Sequence, residues 1–210
     1  MFRFRRSHKD IFSNIYRDKS WGGDESASGP GSTRARAETF VPDVIALLKS
    51  LNIRTLLDAP CGDFNWAGAV ADAVESYVGV DVVPELIAAN AQSAGGGAGA
   101  PLRFLCADLT RDPLPRADLI LCRDCLVHFS FADIRAALRN FRRSGATWLL
   151  TTTFIDPNRR NENIRSGGWR PLNLEQPPFR FPPPVALIDE RCEHSGGVCR
   201  DKRLGLWRAQ

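Results

Sequence analysis

The chain has 210 residues, 43% of them hydrophobic and 25% charged, with a formal net charge of +4. That length accommodates one α/β domain with a buried sheet but not a second domain of equal size, and the composition excludes global disorder. No apolar run approaches the roughly 20 residues of a membrane span, and the basic start "MFRFRRSHKDIF" has no apolar stretch behind it, so a cytoplasmic protein without membrane association is predicted.

The charge is uneven. Residues 1–20 hold Arg3, Arg5, Arg6, Lys9, Arg17 and Lys19 against Asp10 and Asp18, and residues 158–180 hold Arg159, Arg160, Arg165, Arg170 and Arg180 against Glu162 and Glu175. Such clusters can serve nucleic acid, anionic lipid or an acidic substrate, or can simply be solvated. Nucleic acid is not the favoured partner, because no separate RNA-binding domain fits in the chain.

In chain order, Ile11, Phe12, Ile15 and Tyr16 predict a short amphipathic helix over 8–18, followed by a Gly/Ser-rich loop over 19–33. Thr33 or Ser32 can cap the next helix, which Pro42 kinks or restarts before Val44–Leu48 packs on the sheet. From Arg54 onward strands and helices alternate, which predicts a parallel sheet with right-handed crossovers.

The first strand runs into Leu56-Leu57-Asp58-Ala59-Pro60-Cys61-Gly62-Asp63. A turn for a pyrophosphate needs three spaced glycines; this one offers Gly62 alone, flanked by two carboxylates that would repel phosphate and suit a ligand carrying an ammonium and a sulfonium. S-adenosylmethionine (SAM) is such a ligand. Tyr77-Val78-Gly79-Val80-Asp81 ends a second strand in an acid placed to hold ribose hydroxyls, and Pro84 opens the following helix. A third strand, Leu102–Cys106, leads to Asp108, which can accept from an adenine amino group, and a fourth, Asp118–Cys122, leads to Arg123, Asp124 and His128. "SAGGGAGAP" at 93–101 reads as a flexible connection away from the chemistry.

On "LLDAPCGDFNW", "YVGVDVVPELI", "FLCADLT" and "ADLILCRDCLVHFS", in that order and at that spacing, the chain resembles the class I SAM-dependent methyltransferases over roughly residues 53 to 155. "WGGDESASGPGS" and "SGGWRPLNLEQPPF" are similar to segments of a bacterial subgroup of that family, a likeness that names no acceptor. One departure is Ala59 followed by Pro60, where the family usually has its first turn glycine. The resemblance implies a Rossmann-like doubly wound α/β sheet, mostly parallel, closed by an antiparallel hairpin. It also implies SAM as cofactor, held by Asp58, Ala59, Cys61, Gly62, Asp81, Val82, Asp108, Leu109 and Arg123. Residues 1–52 would form an N-terminal cap and 53–210 the core.

After the fifth strand, Thr147–Phe154, the pattern breaks. Seven prolines between 156 and 184 exclude a regular helix, while Trp169, Leu172, Leu174, Phe179 and Phe181 are too apolar to float free. The segment leaves the ligand edge of the sheet, so it is expected to be a substrate-side lid presenting Trp169 and Arg170; the alternative is a structural wrap. Val185–Asp189 and Leu204–Trp207, joined by a polar loop with Gly196-Gly197, are expected to form the closing hairpin.

Asp124 and His128 are the candidate general bases for an acceptor that must lose a proton, with Asp124 immediately after the strand end and His128 having a suitable ordinary pKa. Tyr16, Trp21, Glu25, Ser26 and Ser28 can close the other side, an aromatic face lying against the sulfonium or acceptor. The six cysteines permit zinc at Cys122, Cys125 and His128 or at Cys192, His194 and Cys199, or a redox pair at Cys122/Cys125. No second tight pair completes a tetrahedral set, so no metal is expected, and Cys106 and Cys122 read as small hydrophobes on buried strands. The favoured function is methylation of an oxygen or nitrogen on a polar or anionic small molecule by a monomer or weak homodimer. RNA or protein methylation, a non-catalytic SAM-binding module and a nucleotide-dependent oxidoreductase remain as alternatives.

Overall fold

Seven strands form one sheet in the order β3-β2-β1-β4-β5-β7-β6. The strands are β1 Thr55–Asp58, β2 Ser76–Asp81, β3 Leu102–Cys106, β4 Leu119–Cys122, β5 Trp148–Phe154, β6 Ala186–Asp189 and β7 Lys202–Arg208. β1 to β5 are mutually parallel, and β7 runs antiparallel to both β5 and β6, as the sequence predicts. This computed structural model describes residues 6–93, 101–192 and 197–209. The glycine-rich stretch 94–100, His194, Gly196, Arg3 and Arg5, all singled out above, lie outside the described residues.

Central strands buried on both faces read as continuous apolar runs, and alternation sends successive side chains to opposite layers. Leu57, Ile120, Cys122 and Leu149 pack in one core with Ile134, Ala137 and Phe141 of α6 (Phe131–Arg143). Leu56, Leu119, Leu121 and Leu150 pack in the other with Val44 and Leu48 of α3 (Val41–Ser50). Pro42 sits in the first turn of α3, where its missing N–H costs nothing, and Thr33 caps the one-turn helix α2 (Arg34–Ala37) by accepting from Arg36 N–H. α4 (Gly68–Ala71) and α5 (Pro84–Ser93) complete the crossovers.

α1 (His8–Arg17) forms where the periodicity predicts, opened by a capping box in which Ser7 and Asp10 satisfy each other's backbone N–H groups. Among the described residues, no helix is long and apolar enough to cross a membrane. Cys106 differs from expectation: β3 is the outer strand on that side, and the residue is exposed.

Residues 156–184 pack on the core and none of them lines the cavity at the strand ends, which favours the wrap over the lid. Leu172 and Leu174 are fully buried in the α6-side core, where a doubly wound fold would place a helix. Polar groups tie the non-helical backbone down in place of helix hydrogen bonds. Phe154 N–H donates to Leu172 O at 2.9 Å, Phe181 N–H to Leu174 O at 2.9 Å, and Asn161 Nδ2 to Asn173 O at 2.7 Å.

Candidate active site

The strand order reverses between β1 and β4, and the cavity lies at the C-terminal ends of the strands there, the crevice open α/β sheets use for ligands. Its floor is made by Pro60, Cys61, Gly62 and Asp63 after β1, Asp81, Val82 and Val83 from the end of β2, Asp108 and Leu109 after β3, and Arg123, Asp124, Cys125, His128 and Phe129 after β4. Its roof is the N-terminal segment: His8, Phe12, Tyr16, Trp21, Ala27, Ser28 and Ser32.

The turn after β1 is built on Asp81. Gly62, at φ +54°, donates its N–H to Asp81 Oδ2 at 3.2 Å, and Val83 N–H donates to Oδ1 at 2.9 Å. Val82 N–H is a third backbone donor to the same carboxylate, and with about four lone-pair sites the group keeps acceptor capacity for a ligand hydroxyl. Burial pushes Asp81 up to about 6 despite those donors. A Cβ on Gly62 would lie 2.3 Å from Ser28 Oγ, so any other residue there must displace the Ser28 hydroxyl of the roof. Asp63 anchors the same loop by accepting from Ala27 N–H at 2.7 Å.

After β4 the two candidate bases have different surroundings. Asp124 sits at φ +49°, with Lys202 Nζ at 2.6 Å and Arg123 Nη1 at 3.3 Å from Oδ2. Burial alone would raise its pKa, but the two cations outweigh that and hold it well below the usual carboxylate range. Arg123 is fixed by Glu190 at 2.7 Å, by Gly31 O at 2.9 Å and by contact with the rings of Phe40 and Trp66. A carboxylate so stabilised as an anion is a poor proton acceptor. The His128 ring lies 4.5 Å from the Trp21 ring, and its Nδ1 is 2.8 Å from Gly168 O. A carbonyl only accepts, so Nδ1 carries the proton and Nε2 keeps the lone pair. Burial lowers the His128 pKa below the usual histidine value.

Asp108 lines the cavity, but its carboxylate is already engaged. His8 Nδ1 is 3.0 Å from Oδ2, Thr110 Oγ1 donates to Oδ1 at 2.6 Å, and Arg111 Nε is 3.1 Å from Oδ2. The expected adenine acceptor is thus a partner of the N-terminal helix. His8, Lys202 and Glu190 were not picked out from the sequence. His8 alone left a signal there, being in register (i, i+4, i+8) with Phe12 and Tyr16 on one face of α1.

Four expected site residues do not reach the cavity. Asp58 is buried beneath it, accepting from the Tyr77 hydroxyl at 2.5 Å, and burial raises its pKa to about 7. Ala59 is fully buried in the core. Trp169 is exposed and packs edge-on against Phe154. Arg170 is buried and donates to the carbonyls of Leu126 and Phe129, each at 2.8 Å, and of Glu162 at 3.3 Å. With Gly167 N–H on His128 O at 2.9 Å, these bonds make the 156–184 wrap the support of the His128 turn. Cys61, Gly62, Asp81, Val82, Asp108, Leu109, Arg123, Asp124, His128 and Trp21 all line the cavity. Among the described residues, no three His, Cys, Asp or Glu side chains are grouped to hold a metal ion.

Residues 56–145 match the family model of a methyltransferase domain. The fold is shared with the magnesium protoporphyrin IX methyltransferase of Synechocystis PCC 6803 with bound SAM, at 16% identity over 79% of this chain and 84% of that one, with a TM-score of 0.55. It is also shared with the methyltransferase domain of bacterial CtHen1-CN, at 14% identity over 84% and 100% and a TM-score of 0.57. Human N-acetylserotonin methyltransferase in complex with SAM gives 17% identity over 75% and 45%, with a TM-score of 0.53. No curated protein matches the chain. The sheet order, the strand-end site and the matched domain identify a SAM-dependent methyltransferase. The fold is the one seen in class I methyltransferases, a mostly parallel seven-stranded sheet closed by an antiparallel hairpin.

Proposed function

We propose that the chain methylates an oxygen or nitrogen of a small polar molecule, bound under the N-terminal segment with His128 as general base. The observation that carries this is the roof: α1 and the loop after it cover the strand ends, with Phe12, Tyr16 and Trp21 lining the cavity, an enclosure suited to a small acceptor rather than a polymer. An anionic acceptor is less favoured than the sequence suggests. The cavity's Arg123 is already paired with Glu190 and Asp124, and the adjacent Lys202 with the same two carboxylates.

The residues fit SAM. Asp81 offers an acceptor on each oxygen for ribose hydroxyls, Gly62 and Cys61 flank the methionine end, and Val82 and Leu109 supply apolar contact beside the base. Bound there, SAM supplies an electrophilic methyl group. The chain supplies position and proton removal: Trp21 and Phe129 exclude water, and Nε2 of His128 takes the acceptor's proton as the new bond forms, worth about 10²–10⁴ in rate. Asp124, fixed as an anion, orients the acceptor or the cofactor ammonium. In this reading residues 1–52 act as a cap on the core 53–210.

The test is turnover of SAM to S-adenosylhomocysteine (SAH) against a panel of small hydroxyl and amine acceptors, with bulk RNA and protein as comparators. Methyl transfer confined to RNA or protein would overturn the small-acceptor reading.

A further inference from the structure

We propose that His8 is an ionic pin that locks α1 over the cavity, and that its release is the step by which cofactor enters and leaves. The gating half of this rests on the cavity being the SAM site; the pin itself does not.

The pin is visible in the geometry. His8 is only 7% exposed, its Nδ1 faces Asp108 at 3.0 Å and its Nε2 faces Asp133 Oδ2 at 3.2 Å, while its ring lies parallel to Phe129 with centroids 5.2 Å apart. A neutral imidazole has one N–H and would turn a lone pair toward one of the two carboxylates; only the imidazolium satisfies both. Burial would lower the His8 pKa, but the Asp108 and Asp133 carboxylates outweigh it and raise the value above the usual one. Among the described residues, the other groups at this cluster include Arg111, on Asp108 at 3.1 Å, Thr110, whose Oγ1 is 3.3 Å from His8 Nδ1, Asp112, which accepts from Asp108 N–H at 2.7 Å, and the hydroxyls of Ser130 and Ser166, both donating to Asp133.

Three elements meet at this one ring: α1, the end of β3 through Asp108, and the first turn of α6 through Asp133. Among the described residues, α1 makes one other ion pair to the rest of the chain, Arg17 to Glu85, which is exposed and therefore weak. Phe12 and Tyr16 on the same helix face form the cavity wall. Phe12 also packs on Phe129, with centroids 5.8 Å apart, and Ile11 and Ile15 lie against Gly167, so the cation across two carboxylates is the buried ionic part of the docking, and its loss loosens α1 together with the aromatic wall.

The sign of the pH effect follows. A histidine whose pKa is raised in the docked state stabilises docking fully below its free value and loses that contribution as pH rises through the docked value. The experiment is hydrogen exchange of the full chain, corrected for intrinsic rate, from about pH 6 to about pH 9.5, with and without SAH, on wild type, His8→Gln and His8→Lys. Stopped-flow SAH dissociation accompanies each. In wild type, exchange over residues 8–17 should rise roughly tenfold or more toward alkaline pH, while β1 and β4 amides stay protected. His8→Gln should exchange fast at every pH and release SAH about tenfold faster; His8→Lys, charged across the range, should restore protection and remove the pH dependence. Equal α1 exchange in wild type and His8→Gln at all pH values would overturn the pin. A released α1 with unchanged SAH dissociation would overturn the gate. Failure of wild type to bind SAH at all would instead refute the cofactor reading, with the exchange data still deciding the pin.

Discussion

Replacing Arg170 by alanine should destabilise the fold around the His128 turn and reach catalysis only through that loss. Arg170 is buried, desolvation lowers its pKa to about 10, and it has no carboxylate partner among the described residues; its guanidinium spans the carbonyls of Leu126 and Phe129 instead. Truncation leaves two buried carbonyls without their charged donor, and hydrogen bonds to charged groups are worth about 1.5–3 kcal/mol each. The longer bond to Glu162 adds little, so the expected cost is about 3–5 kcal/mol, or a fall in Tm of roughly 10 °C for a chain of this size. Lysine should recover less than half, because a point charge cannot fork to two carbonyls. Urea denaturation at constant m-value measures the loss. A change below about 1 kcal/mol together with a raised acceptor KM would refute this reasoning and return Arg170 to the substrate.

Three other outcomes are expected. Asp81→Ala should weaken SAM binding by about 30- to 1000-fold by calorimetry, since two hydroxyl acceptors are lost, and wild-type affinity should decline as pH falls through about 6, where Asp81 protonates; unchanged affinity in a folded variant counts against the site. His128→Gln should lower kcat by about 10²–10⁴ and remove the acidic limb of the pH–rate profile. That limb should lie below the ordinary histidine value, because a base lowered by burial is already neutral there; a limb that survives the substitution assigns the base elsewhere. Asp58 has its folded pKa raised to about 7, so the folded state holds the extra proton and stability falls as pH rises from about 4 to about 7. Asp58→Asn should flatten that fall while keeping an acceptor for Tyr77, and denaturation curves at the two ends of that range would show an unaltered slope if the carboxyl is not the cause.

The sheet was legible because its central strands are buried on both faces and so appear as apolar runs, each ending at a polar turn. Which of the strand-end acids faces the ligand was not legible, because that depends on register. Asp58 pairs with Gly79 across the parallel ladder, so Asp81 lies two residues further along the strand direction. At about 3.3 Å per residue, Asp81 reaches roughly 7 Å beyond Asp58 toward the ligand edge. Asp58 stays below, against Tyr77. One sequence shows two aspartates at two strand ends, and nothing in it states how the strands slide.

The choice between Asp124 and His128 shows the same limit from another side. The loop after β4 holds both residues, and the sequence favours Asp124 only slightly, because it immediately follows the strand end. The difference comes from groups distant in sequence: Lys202, 78 residues along, lowers the Asp124 pKa, and Gly168 O, 40 residues along, fixes the His128 tautomer. Arg170 misleads in the opposite direction, because a guanidinium fork fits two carbonyls of a turn as well as one carboxylate of a ligand. The proline-rich segment therefore supports the His128 turn while standing outside the cavity. It carries the carbonyl that holds the proton on Nδ1, and so it decides which nitrogen of His128 is free to act.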